Sequence, residues 1–191
     1  MGRPATDKKG RLVEAAMRRF HHHGVASTSL AAVAGEAGVP PGNVFYYFRS
    51  KEALTTAVID RWCDRVGHHL ADFAVQADPV GTIGAFLRSA EARRQNYADF
   101  GCPLAALGND LRHGSTATAM LRDRPLAMIR AWLGRQFTLA IGDKGRAASH
   151  ADFCFAALQG SFTLAHATAD PRIVSGTVDH LIQWIDDLVC R

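Results

Sequence analysis

The stretch that decides the fold runs from Ser27 to Leu54 and reads STSLAAVAGEAGVPPGNVFYYFRSKEAL. Its first three residues can cap a short helix that ends before Gly38, because glycine readily takes the left-handed conformation that closes a helix. Pro40 and Pro41 then suit the first turn of a second short helix. The side chains expected to face inward are Leu30, Val33, Ala34, Ala37, Val39, Val44, Phe45 and Phe48. This spacing predicts a helix-turn-helix whose second helix is free to enter a DNA major groove.

Side chains suited to DNA contact gather at the start of that second helix. The Asn43 amide can pair bidentately with adenine, and two tyrosine rings with hydroxyl tips follow it. Hydroxyls and backbone N–H groups at helix starts can bind phosphate, and Lys51 adds a positive charge at the next helix start. The predicted DNA-binding residues are Thr28, Ser29, Pro41, Asn43, Tyr46, Tyr47 and Lys51. An ordinary surface role for the asparagine and a core role for one tyrosine remain the alternatives.

The charge distribution favours the same region. Residues 1–51 contain eight Lys or Arg against three Asp or Glu, a net charge of +5, whereas the rest of the chain has a net charge of −1. Neutralisation of phosphates supplies the sequence-independent part of DNA affinity. A polyanionic partner for the first quarter of the chain is therefore expected, with a solvated basic surface as the alternative.

Apolar residues recur at helical spacing almost throughout the chain, and the alternation typical of strands does not persist. We predict an all-α fold of about nine helices: Thr6–His23, a helix ending at Ala37, one starting at Pro40–Pro41, and one capped by Ser50 and reaching Val75. The later helices are predicted at Pro79–Phe100, Pro103–Arg112, Ser115–Ile141 (kinked or divided by Pro125), Arg146–Ala169 and Pro171–Val189. The predicted domains are a DNA-binding head, residues 1–50, and a larger helical body, residues 51–191.

Composition excludes several classes of protein. Apolar residues make up 48% of the 191, enough for a packed core, and no apolar run reaches the roughly 18 residues that span a bilayer. The amino terminus is polar and basic, unlike a secretory signal, so a cytoplasmic location is expected. The four scattered cysteines are then expected to be reduced thiols. Sequence signatures of common enzyme sites are missing, which predicts a protein that is not an enzyme and uses no cofactor.

The helix-turn-helix resembles the DNA-binding domain of the TetR family of repressors over roughly residues 8–55. The residues that carry the resemblance are Phe20, Gly24, Thr28-Ser29-Leu30, Val33-Ala34, Ala37-Gly38-Val39, Gly42 to Phe48, and Ser50 to Leu54. The resemblance implies a homodimer on a palindromic operator, with a ligand-sensing body and an interface made by the last two helices. The family commonly has a capping Ser or Thr and a basic residue where this chain has Pro40 and Pro41. Loss of the cap costs about 1 kcal/mol and removes one expected phosphate contact.

The resemblance also implies a cavity for a small-molecule effector in the body. The candidate ligand-binding residues are Trp62, Phe86, Tyr97, Phe100, Cys102, Leu104, Leu107, Met120, Phe137, Gln159, Phe162 and His166. Simple core packing is the alternative for most of them, because ligand pockets are themselves mostly apolar. Without an acidic pair to capture a cation, a neutral or weakly polar effector is expected.

Two further patterns offer different sensing chemistries. Gly101-Cys102-Pro103-Leu104 resembles a Gly-Cys feature of one branch of the family, in which some members sense oxidants or electrophiles; a small buried hydrophobe is the alternative for Cys102. The run His21-His22-His23, the pair His68-His69, and His150 with Cys154 raise the possibility of metal binding. Adjacent helical residues diverge by about 100°, so the three histidines cannot share one ion, and no metal site is predicted.

Overall fold

The computed structural model describes residues 7–73 and 78–189. Every regular element in these ranges is a helix, which confirms the predicted all-α fold. The α-helices are α1 Lys8–His23, α2 Leu30–Ala37, α3 Pro41–Tyr47, α4 Lys51–Ala71, α5 Pro79–Glu91, α6 Arg94–Phe100, α7 Pro103–Asp110, α8 Thr116–Leu121, α9 Arg124–Ile141, α10 Lys144–Thr168 and α11 Arg172–Val189, with a 3₁₀ turn at Leu111–His113. None of these helices is both long and apolar enough to cross a bilayer.

Two of the predicted helices are each divided in two. The predicted helix 79–100 is interrupted at Ala92 and Arg93, between α5 and α6. The predicted helix 115–141 is interrupted between α8 and α9, just before Pro125. Proline is tolerated in a first turn, where its missing N–H has no helical partner to lose, so α9 starts one residue before it. The predicted limits Thr6 and Val75 lie outside the described residues.

Side-chain caps set the start of several helices, as the sequence predicted. The Ser29 hydroxyl accepts the backbone N–H of Ala32 at 3.1 Å and begins α2. The Ser50 hydroxyl accepts the N–H of Ala53 at 3.1 Å and begins α4. Pro40 precedes α3 without a side-chain cap. The start of α3 therefore depends on the fixed geometry of proline and on packing.

The chain forms two compact units. The first unit contains residues up to Asp64 together with Pro103–Pro125, and the second contains Arg65–Cys102 and the residues from Leu126 onward. These units do not coincide with the predicted division after residue 50. The difference arises because most of α4 and the α7–α8 segment share the core of the first unit.

Each unit has its own apolar core, which accounts for its cohesion. In the first unit, α1 packs on α2 and α7, and α2 packs on α3. Its buried side chains include Leu12, Phe20, Val33, Val44, Phe48, Leu54, Ile59, Leu104, Leu107 and Leu111. In the second unit, α11 packs on α5 and α10, and α10 packs on α6. Its buried side chains include Ile83, Leu87, Leu133, Phe137, Leu158, Val178 and Ile185.

Two glycines, one within α2 and one at its C-terminal cap, test the turn that joins α2 to α3. Both glycines have open space where a Cβ would lie. They differ in backbone conformation, because Gly38 has a φ of 61° whereas Gly35 lies within the helix. Gly38→Ala should lower the free energy of unfolding by roughly 1–2 kcal/mol, the cost of a left-handed L-residue. Gly35→Ala should instead raise it by about 0.5–1 kcal/mol. Urea unfolding followed by circular dichroism measures both, and equal effects would contradict a left-handed requirement at Gly38.

Candidate nucleic-acid interface

The turn between α2 and α3 fixes the crossing of the two helices. Gly38 takes the left-handed conformation that ends α2, and the Val39 N–H bonds back to the Ala34 carbonyl at 3.0 Å. Val39 is then buried beneath the turn. The next residues, Pro40 and Pro41, lead directly into α3. This arrangement confirms the predicted helix-turn-helix geometry.

Helix α3 has one buried side and one exposed side. Val44 and Phe48 are 1% and 3% exposed and attach the helix to the core of the first unit. Pro41, Gly42, Phe45 and Tyr46 are exposed. The exposed side carries no charged group, so it offers aromatic surface, one hydroxyl and free access to the helix backbone at Gly42. Such a surface suits base edges and thymine methyl groups in a major groove.

The residues of α3 that were predicted to contact DNA differ in their exposure. Tyr46 is 82% exposed, and its ring packs edge-on against Tyr47, with 5.0 Å between centroids. Tyr47 and Asn43 are both half-buried. Phe45 was predicted to face the core, but it is 60% exposed. The prediction failed because Phe45 lies only about 100° from Val44 around so short a helix.

Three other predicted DNA contacts take part in bonds within the first unit. Thr28 is 1% exposed, and its hydroxyl donates to the Gly24 carbonyl at 2.8 Å, a placement that does not support the predicted phosphate contact. The Ser29 hydroxyl caps α2 from an exposed position. The Lys51 ammonium donates to the Ala26 carbonyl at 2.8 Å. Its charge therefore stands beside the α1–α2 loop.

Basic side chains of the first unit are partly occupied by internal partners. Glu36 accepts from Arg18 at 2.8 Å and lies 3.5 Å from Arg19. The Lys9 ammonium lies 6.0 Å from the centroid of the Phe48 ring. Arg49, in the linker between α3 and α4, is exposed. Positive charge thus flanks α3 on the chain segments before and after it, as phosphate binding requires.

The predicted ligand-binding residues belong to different units. Trp62, Leu104, Leu107 and Met120 lie in the first unit, and Met120 is 75% exposed. The members in the second unit are Phe86, Tyr97, Phe100, Cys102, Phe137, Gln159, Phe162 and His166. A ligand role for these residues stays a prediction.

Part of the second-unit set does come together, between α6 and α10. The Tyr97 and Phe162 rings stack with 3.7 Å between centroids. His166 donates from Nδ1 to the Ala98 carbonyl at 3.0 Å. The Gln159 Oε1 atom is buried without a described hydrogen-bond partner. Gln159 lies three residues before Phe162 on α10. A ligand bearing an N–H or O–H group could satisfy its buried amide oxygen.

Sequence reasoning missed a groove of about 410 Å³ in the second unit. Its lining residues are Gly67, Leu70, Ala71, Met128, Ala131, Trp132 and Arg135. None of them is in the predicted ligand set. A lining assembled from the end of α4 and from α9 has no signature in the sequence, because it depends on how the two helices pack.

A polar cluster in the second unit was also missed. The Arg93 guanidinium donates to His69 Nε2 at 3.1 Å and to the Ser89 carbonyl at 3.1 Å. Burial lowers the pKa of His69, and the adjacent guanidinium lowers it further. His69 is therefore neutral at pH 7 and can accept from Arg93. The ring of Phe73 packs edge-on against His69 with 4.9 Å between centroids.

The cysteines differ in accessibility. Cys102 directly precedes α7 and is half-buried. Cys63 and Cys154 are buried; burial raises the pKa of the Cys154 thiol to about 12, and burial also raises the pKa of Cys63 although Arg124 opposes this. Cys190 lies outside the described residues. Among the described thiols, Cys102 is the accessible candidate for a redox role.

The histidine patterns do not form a metal centre in the described ranges 7–73 and 78–189, where no three potential ligands converge. The rings of His21 and His22 lie 5.3 Å apart between centroids. His150 packs against Trp184 at 5.4 Å between ring centroids.

Comparison with known proteins agrees with this geometry. Residues 12–58 match the family described as bacterial regulatory proteins, tetR family. This segment is similar to the DNA-binding part of the TetR family. The matched residues cover most of α1, the whole helix-turn-helix and the first part of α4. The match confirms the TetR resemblance of the helix-turn-helix stated from the sequence.

Relatives and solved structures extend the comparison. The chain is 35% identical over 80 residues to the transcriptional regulator TtgR of Pseudomonas putida, and 36% identical over 90 residues to RutR of Escherichia coli. These alignments cover 42% and 45% of this chain but only 38% and 41% of the relatives, so the chain spans about two fifths of their length. A TetR regulator from Legionella pneumophila has a TM-score of 0.84 at 20% identity, covering 96% of this chain and 98% of that one. The whole chain thus has the fold of this TetR regulator.

Thiol reactivity tests the difference between the cysteines. At pH 8, iodoacetamide should label Cys102 in the native protein while Cys154 stays unmodified, because its raised pKa keeps the thiol protonated and burial blocks access. Peptide mass spectrometry over time measures both sites, with urea-unfolded protein as the control in which both react. Equal native labelling rates would contradict the structure.

Proposed function

We propose that this chain is a ligand-responsive TetR-type transcriptional repressor that binds a palindromic operator as a homodimer. The observation that carries the proposal is the exposed side of α3, which lies inside the segment matched to the family. Phe45 and Tyr46 are 60% and 82% exposed on a short helix. Their exposure gives the protein no stability in the absence of DNA. A DNA groove gives these aromatic side chains a partner. Such a role places the protein in the cytoplasm, where the chromosome is.

The DNA-contacting groups divide into base readers and phosphate binders. Tyr46 leads the readers because of its exposure, with Pro41 and the half-buried Asn43 and Tyr47 beside it. Ser29 and Lys51 serve as phosphate binders at the starts of α2 and α4. In that role Lys51 would keep or exchange its bond to the Ala26 carbonyl. Thr28 would act by holding the loop rather than by touching DNA.

Exposed apolar surface on the last two helices supports the homodimer. Phe153 and Leu164 on α10 are each 56% exposed, and Val189 on α11 is 43% exposed. Between these helices lies a groove of about 560 Å³ whose lining residues are Phe153, Ala157, Ile173, Gly176, Thr177, His180, Leu181 and Trp184. A second copy related by a two-fold axis would cover this surface, as a palindromic operator requires.

Effector binding in the second unit would control the head through the connecting chain. Helix α4 is continuous across the point where the first unit ends, after Asp64. A shift at its carboxyl end would therefore reach α3, which directly precedes it. In a dimer this would change the spacing of the two reading helices, and half-sites one helical turn apart tolerate little change. Release from the operator is the expected result, and for a repressor this release permits transcription.

Loss of the Tyr46 ring tests operator recognition. Duplexes selected from a random library should contain a palindrome bound with a salt-dependent affinity. Tyr46→Ala should weaken binding to the selected duplex about tenfold, or about 1.4 kcal/mol, while the melting temperature stays unchanged because the ring is mostly exposed. Mobility shift and thermal melting measure the two effects. Failure of the wild-type protein to select any palindrome would overturn the proposed function.

Charges placed on α10 test the dimer. Phe153→Glu with Leu164→Glu should produce a monomer in sedimentation velocity and lower the operator affinity at least tenfold, since each half-site then binds alone. Leu139→Glu is the matched control, because Leu139 on α9 is 69% exposed but lies on another helix. Dissociation by the control, or a dimer in the double variant, would contradict the proposed interface.

A further inference from the structure

A carboxylate on α7 holds the loop that leads into the helix-turn-helix. The Val25 N–H donates to Asp110 Oδ2 at 2.8 Å, although the two residues lie 85 positions apart in the chain. A Cβ added to Gly24 would lie 3.1 Å from the same oxygen, so the carboxylate packs closely against the loop backbone. A hydrogen bond from a backbone N–H to a charged acceptor is stronger than one between neutral groups.

Several other polar groups of the α1–α2 loop are bonded as well. Gly24 closes α1 with a φ of 78° and bonds to the Phe20 carbonyl at 3.0 Å. Its own carbonyl accepts from the Thr28 hydroxyl at 2.8 Å, and the Ala26 carbonyl accepts from Lys51 at 2.8 Å. The bonds to Lys51 and Asp110 tie this loop to α4 and α7. The loop ends at Ser29, the residue that caps α2.

The segment that supplies Asp110 has an unusual place in the chain. Pro103–Pro125 belongs to the first unit, but the residues before and after it belong to the second. The same segment bonds to α4 through Ser115, whose hydroxyl meets the Glu52 carboxylate. A rearrangement of the second unit would therefore act on both ends of this segment at once.

We propose that Asp110 is a positioning residue for operator binding: it fixes the α1–α2 loop, and through it the start of α2, in the arrangement that presents α3 to DNA. Pro103–Pro125 thereby forms a second route, besides α4, by which the second unit controls the head. This inference rests on the proposed DNA-binding function.

Three substitutions separate this role from others. Asp110→Leu keeps the side-chain size but removes the acceptor, whereas Asp110→Asn keeps an acceptor oxygen. Asp123→Leu is the matched control, because Asp123 is an exposed carboxylate of the same segment. If Asp110→Leu does not fold, Asp110→Ala takes its place in the same comparison. Binding is measured well below the melting temperature of every variant, so that a purely stabilising role leaves the affinity unchanged.

Two measurements decide the proposal. Amide hydrogen exchange of Val25 without DNA should be at least tenfold faster in Asp110→Leu than in the wild type, and near the wild-type rate in Asp110→Asn and Asp123→Leu. The dissociation constant for the selected duplex should rise about tenfold in Asp110→Leu alone. The slope of affinity against salt concentration should stay unchanged, because no phosphate contact is lost.

Each contrary result has a defined meaning. Unchanged exchange at Val25 would show that the carboxylate does not hold the loop. Faster exchange with unchanged affinity would show that the carboxylate holds the loop but that the loop does not position α3. A smaller slope of affinity against salt concentration would show that Asp110 belongs to a phosphate contact network. Either result overturns the proposal. Failure of the wild type to select any duplex would remove the proposed function and the positioning role with it, while the exchange rates would still decide whether the contact exists.

Discussion

Burial of one side of α3 is the constraint on which the rest of the first unit depends. A helix of seven residues is too short to be stable alone in water. Val44 and Phe48 anchor it, and the left-handed Gly38 determines the direction from which it enters. Because the anchoring residues occupy one side, the other side is left to solvent. The exposed aromatic surface is thus a direct result of how the helix is held.

The sequence predicted this head well because its signals are local. A capping serine, a closing glycine and prolines in a first turn act within a few residues of one another, so their spacing alone places Ser29, Gly38 and Pro41 correctly. Phe45 shows the limit of this reasoning. Over two turns of helix, the pattern of apolar residues cannot distinguish a core aromatic from an exposed one. Only the packing of α3 on α2 decides which side is buried.

The second unit was predicted less completely because its signals are tertiary. Nothing in the sequence around Ala92 and Arg93 resembles a helix break. In the structure, the Arg93 side chain bonds to Ser89 and His69, and Tyr97 stacks on Phe162. These contacts favour the interruption between α5 and α6. The groove lined by Trp132 and Arg135 depends in the same way on the approach of distant helices. Composition predicts that such a body contains apolar helices, but not which of their faces enclose space.

The discontinuous first unit limits how the head can be exchanged between proteins. A chimera joined after residue 50 would carry the helix-turn-helix but leave behind Leu104, Leu107 and Leu111, which lie buried in the same core. The graft would meet a foreign α7 surface, and Val25 would face whatever residue replaces Asp110. A transferred head therefore keeps its own packing only when the Pro103–Pro125 segment is transferred with it. During synthesis the same arrangement delays completion of the head until more than half of the chain has left the ribosome.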